Sequence, residues 1–208
     1  MLFASSGAVH GRGAGRPART PEDCAAAPLP GEPNAGYGLA KRLMEHEAHL
    51  ATSAGEADVV VARLWAFLGP LLPLDIHYAA GNFVADALGG RAIHVKGNLA
   101  TVRSYLYPTD LVVWLLAALT RGRPGVAYNI GSDVDTTIGE LATTVAAVSG
   151  STAGLRIPDR TSEYPADRYV PDVSRARAEL GVRQTVGLAD AIDRTLSWHT
   201  TASIGDRT

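Results

Sequence analysis

Three residues carry the most specific chemistry in this chain: Ser6, which ends a short apolar run, and Tyr37 and Lys41, four apart in Tyr37-Gly38-Leu39-Ala40-Lys41. A free phenol titrates near pH ~10 and is a poor base at neutrality. A lysine at i+4 on a helix lies one turn along the same face, so Lys41 can bring its ammonium near the Tyr37 oxygen and favour the phenolate. Ser6 would supply a hydroxyl that orients a substrate oxygen. Such a trio can take the proton of an alcohol while a neighbouring oxidised nicotinamide takes the hydride. With 7 tyrosines and only Lys41 and Lys96 as lysines in 208 residues, a chance Tyr-x-x-x-Lys has a probability of about 0.07. A surface tyrosine beside a solvated lysine is the plain alternative, so the surroundings must decide.

The elements that would position the trio alternate between strand and helix, which argues an α/β fold. Met1 to Ser5 reads as a buried strand, and Gly11 to Ala35, rich in Gly, Pro and Ala, as a loop. Tyr37 to Ala51 reads as a helix, with Leu39, Ala40, Leu43 and Leu50 as its apolar stripe and Arg42, Glu45, His46 and His49 as its wet face. Asp58 to Leu64 is nearly continuous in Val, Ala and Leu, the mark of a parallel strand covered on both faces. Helices are expected over Ala79 to Leu88 and Thr109 to Leu119, and strands over Ala92 to Lys96 and Val126 to Ile130. A further helix runs to Val148, capped by Thr136 or Thr137 with Glu140 placed for a capping box. Val173 to Leu180 and Leu188 to His199 close the fold.

The ordered motifs identify a resemblance. Ser5-Ser6-Gly7-Ala8-Val9-His10-Gly11, the Tyr37 to Lys41 tetrad, Ala62-Arg63-Leu64-Trp65-Ala66-Phe67-Leu68-Gly69-Pro70, and Val95-Lys96-Gly97 come first. Arg103-Ser104-Tyr105-Leu106-Tyr107-Pro108-Thr109-Asp110, Tyr128-Asn129-Ile130-Gly131-Ser132 and Asp172 to Arg177 with Glu179-Leu180-Gly181 follow. In this order they resemble the extended short-chain dehydrogenases of the NAD-dependent epimerase/dehydratase family, which modify nucleotide sugars, over nearly the whole chain. The resemblance implies Ser6, Tyr37 and Lys41 as catalytic residues, with Tyr37 as general base. It implies Tyr37, Lys41 and Trp65 as contacts to NAD, Lys41 through the nicotinamide ribose. It implies Asn82, Arg103 and Arg168 as contacts to the nucleotide-sugar diphosphate, a task that suits a guanidinium fork.

The departures matter as well. His10 stands for a tyrosine, Ala66 for an asparagine that meets substrate, and Asn98-Leu99 for an Asp-Gly turn. Gly7 and Ala8 stand where sugar 4,6-dehydratases carry an Asp-Glu pair, and neither can transfer a proton, so elimination of water is disfavoured. No glycine-rich dinucleotide fingerprint precedes Ser6. Gly11, Gly13 and Gly15 lack its spacing and follow the serine. The expectation is therefore the C-terminal part of a Rossmann-like doubly wound parallel sheet plus a small α/β substrate-binding lobe, without the first βα units and their glycine-rich loop. Residues 1–70 would be the remainder of the dinucleotide-binding domain, 71–199 a mixture of substrate lobe and returning Rossmann elements, and 200–208 a flexible tail.

A formal net charge of -2 gives no footprint for nucleic acid or an anionic membrane. No apolar run is long enough to span a bilayer, the N-terminus lacks the build of a secretory signal, and Cys24 is the single cysteine, so a cytoplasmic protein is expected. His46 and His49 share a helix face but read as solvated side chains with no third ligand, so no metal is expected. Three readings remain open: a family oxidoreductase impaired by loss of its cofactor-binding front; an inactive truncated remnant; and a non-enzymatic module whose exposed sheet edge takes a partner, either a second copy in a homodimer or a complementing chain.

Overall fold

The computed structural model describes residues 1–11, 17–74, 78–157 and 166–205, with side chains in the last helix described as far as Thr201. In chain order the elements begin with β1 (Leu2–Ser6), a 3-10 turn (Gly7–His10), α1 (Ala35–Ser53), β2 (Val60–Leu64), α2 (Ala79–Leu88), β3 (Ile93–His94) and β4 (Val102–Arg103). They continue with α3 (Pro108–Arg121), β5 (Ala127–Ile130), β6 (Thr136–Thr137), α4 (Ile138–Ser149), β7 (Leu155–Arg156), β8 (Arg168–Tyr169), α5 (Ser174–Leu180) and α6 (Leu188–Gly205). The α6 helix thus runs past His199. Of the Gly11, Gly13 and Gly15 run, only Gly11 lies within the described residues.

The chain divides into two compact units, Met1–Ala66, Thr109–Val134 and Tyr169–Gln184 in the first, and Phe67–Pro108, Asp135–Arg168 and Thr185–Thr208 in the second. The first is built on a parallel sheet in the order β1-β2-β5. Its central strand buries Val60, Val61 and Ala62, which is why the run from Asp58 to Leu64 is so uniformly apolar. The helix α1 lies on the face of Phe3, Ser5 and Arg63, to which Lys41 and Glu45 reach down. The opposite face takes the end of α3, where a Cβ on Gly122 would stand 2.7 Å from Val60, and α5, whose Glu179 accepts from the Tyr128 hydroxyl at 2.6 Å. The strand order steps in one direction while the two crossovers use opposite faces. One of them is therefore left-handed, against the strong right-handed preference of parallel connections.

One sequence expectation is corrected here. The apolar stripe assigned to α1 does not face the core: Leu43 is 60 % and Leu50 47 % exposed, and Ala40 is exposed too. The face turned to the sheet carries Lys41 and Glu45 instead, and the Glu45 side chain is only 13 % exposed. The cause lies in the sheet, which presents the Ser5 hydroxyl and the Arg63 guanidinium beneath α1. A buried guanidinium demands a carboxylate more strongly than a leucine demands burial.

The second unit packs α2, α4 and α6 around a core of Leu68, Phe83, Ile93, Leu141, Val145 and Ile192. Here α4 follows its sequence pattern: Ile138, Leu141, Ala142 and Val145 are buried, and Thr137 and Glu140 form the expected capping box. The short strands β3 and β7 pair in parallel, and β4 pairs antiparallel with β6 and neighbours β8.

Candidate active site

Ser6 ends β1 and caps the 3-10 turn, its Oγ accepting from the Ala8 amide at 3.2 Å. A Cβ at Gly38 would stand 2.4 Å from the Ala8 carbonyl oxygen and 2.7 Å from Pro28 Cγ. Only glycine lets the first turn of α1 come this close to the turn after Ser6, so Gly38 seats its neighbour Tyr37 at the carboxyl end of β1. The Tyr37 side chain stays open, at 60 % exposed. One turn on, Lys41 Nζ donates to the Ala4 carbonyl at 2.8 Å and lies 5.9 Å from the centroid of the Tyr37 ring. Ser6 and the first turn of α1 thus lie at the carboxyl end of β1, where ligands of open α/β sheets bind, while Lys41 reaches back to Ala4 and Phe3 within the strand.

Beneath them is a network that the sequence reading did not assign. Arg63 Nε and Nη2 donate to the two Glu45 oxygens at 3.0 and 2.8 Å, the Ser5 hydroxyl donates to Glu45, and Arg63 Nη1 donates to the Glu22 carbonyl at 2.6 Å. Nη1 also lies 3.3 Å from His10 Nε2. A guanidinium can only donate, so Nε2 is the acceptor and the imidazole proton sits on Nδ1. Nδ1 itself is buried without a hydrogen-bond partner, although the nearby Cys24 backbone favours its proton. Burial first and the Arg63 charge second push the His10 pKa down to about 4. The signal that could have found this network is Arg63 itself, a charge inside an otherwise apolar parallel strand.

Trp65 is 6 % exposed. Its Nε1 donates to Asn129 Oδ1 at 2.9 Å, and its ring lies 6.2 Å from that of His10 and 4.3 Å from that of Tyr169. The backbone of Gly7 passes under this pair: a Cβ there would meet the Tyr169 hydroxyl at 2.6 Å and Trp65 at 2.7 Å.

The remaining sequence candidates belong to the second unit. Asn82 is half-buried on α2, between the buried Gly81 and Phe83. Arg103 on β4 and Arg168 on β8 stand on neighbouring strands, and each is held by a carboxylate, Arg103 by Asp167 at 3.1 Å and Arg168 by Asp135. Burial pushes the Tyr105 hydroxyl up to about 12, with the Arg103 charge opposing. His46 and His49 are exposed, and among the described residues no group of three His, Cys, Asp or Glu side chains is placed to hold a metal. No described helix is long and apolar enough to cross a membrane.

Ser6, at the end of a parallel strand, and Tyr37 and Lys41, on the helix that follows it, stand in the order in which the sequence resemblance expects them. The family model of the NAD dependent epimerase/dehydratase family matches residues 1–131, and the chain belongs to that family. It is 29 % identical over 161 residues to UDP-glucuronic acid decarboxylase 1 of Arabidopsis thaliana, an alignment covering 77 % of this chain and 37 % of that protein. Among solved structures it resembles UDP-glucose 4-epimerase of Thermotoga maritima with UDP-glucose, with a TM-score of 0.82 at 24 % identity over 97 % of this chain and 63 % of that one. It also resembles the dTDP-glucose 4,6-dehydratase DesIV of Streptomyces venezuelae with NAD bound, with a TM-score of 0.76 at 26 % identity over 96 % and 59 % of the two chains. The chain spans well under half of the decarboxylase and about three-fifths of the two structures.

Proposed function

We propose that this chain carries the proton-transfer half of an NAD-dependent nucleotide-sugar oxidoreductase. The observation that carries the reading is the seating of α1 on the turn after Ser6 through Gly38, with Lys41 one turn from an open Tyr37. Tyr37 takes the proton of a sugar hydroxyl, with the Lys41 ammonium one turn along the same helix, and the Ser6 hydroxyl orients the sugar oxygen. Bound NAD would supply the acceptor for the hydride. The donor set fits the nicotinamide-ribose end of that cofactor, because an ammonium that already donates to a carbonyl at 2.8 Å can donate to a ribose hydroxyl. Trp65 is read as the aromatic wall beside the nicotinamide. Asn82, Arg103 and Arg168 are read as contacts to the substrate diphosphate.

The packing at Gly7 favours epimerisation, reduction or decarboxylation over dehydration, since a carboxylate there would collide with Trp65 and Tyr169. The 208-residue sequence contains no glycine-rich fingerprint for the pyrophosphate, so NAD binding by this chain alone should be weak. Calorimetric titration should give no heat below about millimolar NAD. Saturation-transfer NMR at millimolar NAD should light the nicotinamide protons in the wild-type chain and lose them in Lys41→Ala. Wild-type spectra without nicotinamide contact would sink the cofactor assignment. Wherever turnover of UDP-glucose or UDP-glucuronic acid is measurable, Tyr37→Phe should lower it by roughly a thousandfold, and activity that survives would remove Tyr37 from the mechanism. A second copy or a complementing chain is the partner we propose for the exposed apolar side of α1, where Leu43, Met44 and Leu50 are 60, 48 and 47 % exposed. A sedimentation profile of a single monomer up to about 100 μM would remove the second copy.

A further inference from the structure

We propose that Asp167 and Asp135 are internal competitors for the substrate diphosphate, each holding one of the two arginines that the nucleotide would claim. This rests on the reading of Arg103 and Arg168 given above. Arg103 Nη2 donates to Asp167 Oδ2 at 3.1 Å, and its Nη1 donates to the carbonyl oxygens of Val102 and Asp167 at 2.9 and 3.3 Å. The other Asp167 carboxylate oxygen accepts from the Arg168 amide at 2.8 Å. One carboxylate thus ties the Arg103 side chain on β4 to the backbone of β8. The Arg168 side chain donates to Asp135, the residue before β6.

In the two ion pairs each guanidinium is matched by one carboxylate. Their side chains are 26 to 47 % exposed, so each pair is partly solvated and can exchange its carboxylate for another anion at modest cost. A diphosphate carries more charge than a carboxylate and can accept from both guanidiniums at once. It can therefore offset the loss of both internal pairs. A nucleoside monophosphate or a lone carboxylate can engage one arginine and gains too little to open the other. The two aspartates therefore lower the affinity for every phosphate ligand, and lower it most for a ligand that claims both arginines.

The test is calorimetric titration of UDP and UMP into the full chain, Asp135→Asn, Asp167→Asn and Arg103→Ala at fixed salt. Each Asp→Asn change is near-isosteric and should tighten UDP binding by roughly tenfold. UMP, which displaces a single carboxylate, should gain by no more than UDP does, so the preference for UDP over UMP holds or widens. Arg103→Ala should lose UDP binding. If the wild-type chain binds UDP, Arg103→Ala loses it and neither Asp→Asn change strengthens it, the competitor role is overturned while the diphosphate site stands. If no version binds UDP at millimolar concentration, the diphosphate site itself fails, and this inference with it. Should the Asp→Asn proteins not fold, nitrogen-15 NMR of the wild-type guanidinium Nε signals decides. Shifts of both Arg103 and Arg168 on adding UDP, with smaller or single shifts on adding UMP, support exchange. UDP binding that leaves both signals unmoved overturns it.

Discussion

The helices α1 and α4 are both amphipathic in sequence and do opposite things with that pattern. In α4 the apolar residues Ile138, Leu141, Ala142 and Val145 face the core, and the capping box closes its first turn. In α1 Leu43 and Leu50 face outward and the charged Lys41 and Glu45 face the sheet. The helix that only packs follows local rules, whereas the helix that carries the candidate chemistry breaks them and is held by polar bonds. A charge pattern therefore reports the function of an element where a hydrophobic pattern reports only its burial.

The comparison can be broken or sharpened by measurement. The largest stability effect should come from Glu45→Ala, which leaves the Arg63 guanidinium, 13 % exposed, without its carboxylate. A loss of about 3 to 5 kcal/mol in urea unfolding is expected, and a loss under about 1 kcal/mol would mean that α1 is not held by this pair. On α4, Leu141→Ala should cost about 3 kcal/mol through the cavity it opens. On α1, Leu43→Ala should cost less than about 0.5 kcal/mol, since a surface residue gives up little. Equal costs for the two leucines would remove the contrast between the helices.

The His10 network predicts a pH dependence whose sign follows from the depressed pKa. The folded protein holds His10 neutral down to about pH 4, while the unfolded chain takes up the proton near 6.5. Between those values the unfolded state binds more protons, so stability falls as pH drops through that window, by roughly 3 kcal/mol in all. His10→Phe should flatten the dependence over this range in urea melts. An unchanged slope would show that other groups produce it.

Much of this architecture was legible in the sequence, and the reasons differ by element. The α4 cap was readable because Thr137 and Glu140 are three residues apart, and β2 because a parallel strand covered on both faces is apolar throughout. The Tyr37 and Lys41 pair was readable because one helix fixes their relation. The short strands β4, β6, β7 and β8 were not, since two residues carry no periodicity. The partners of Arg63, Arg103 and Arg168 were not either. Glu45, His10, Asp167 and Asp135 lie 18, 53, 64 and 33 positions away from them, and a side-chain pattern in one segment cannot say which distant carboxylate will fold back onto it. The inversion of α1 follows from the same blindness, for it is the sheet residue Arg63 that turns the helix.

The packing over Gly7 also bears on how such a chain could change its chemistry over generations. A carboxylate at position 7 is a single nucleotide change from glycine, yet its first side-chain carbon would land on the Tyr169 hydroxyl and on the Trp65 indole, which Asn129 anchors. The step therefore asks the anchored Trp65 to give way, and a prior change at Trp65 would ease it, so an aromatic contact weighs on the order in which new reactions can be acquired on this scaffold.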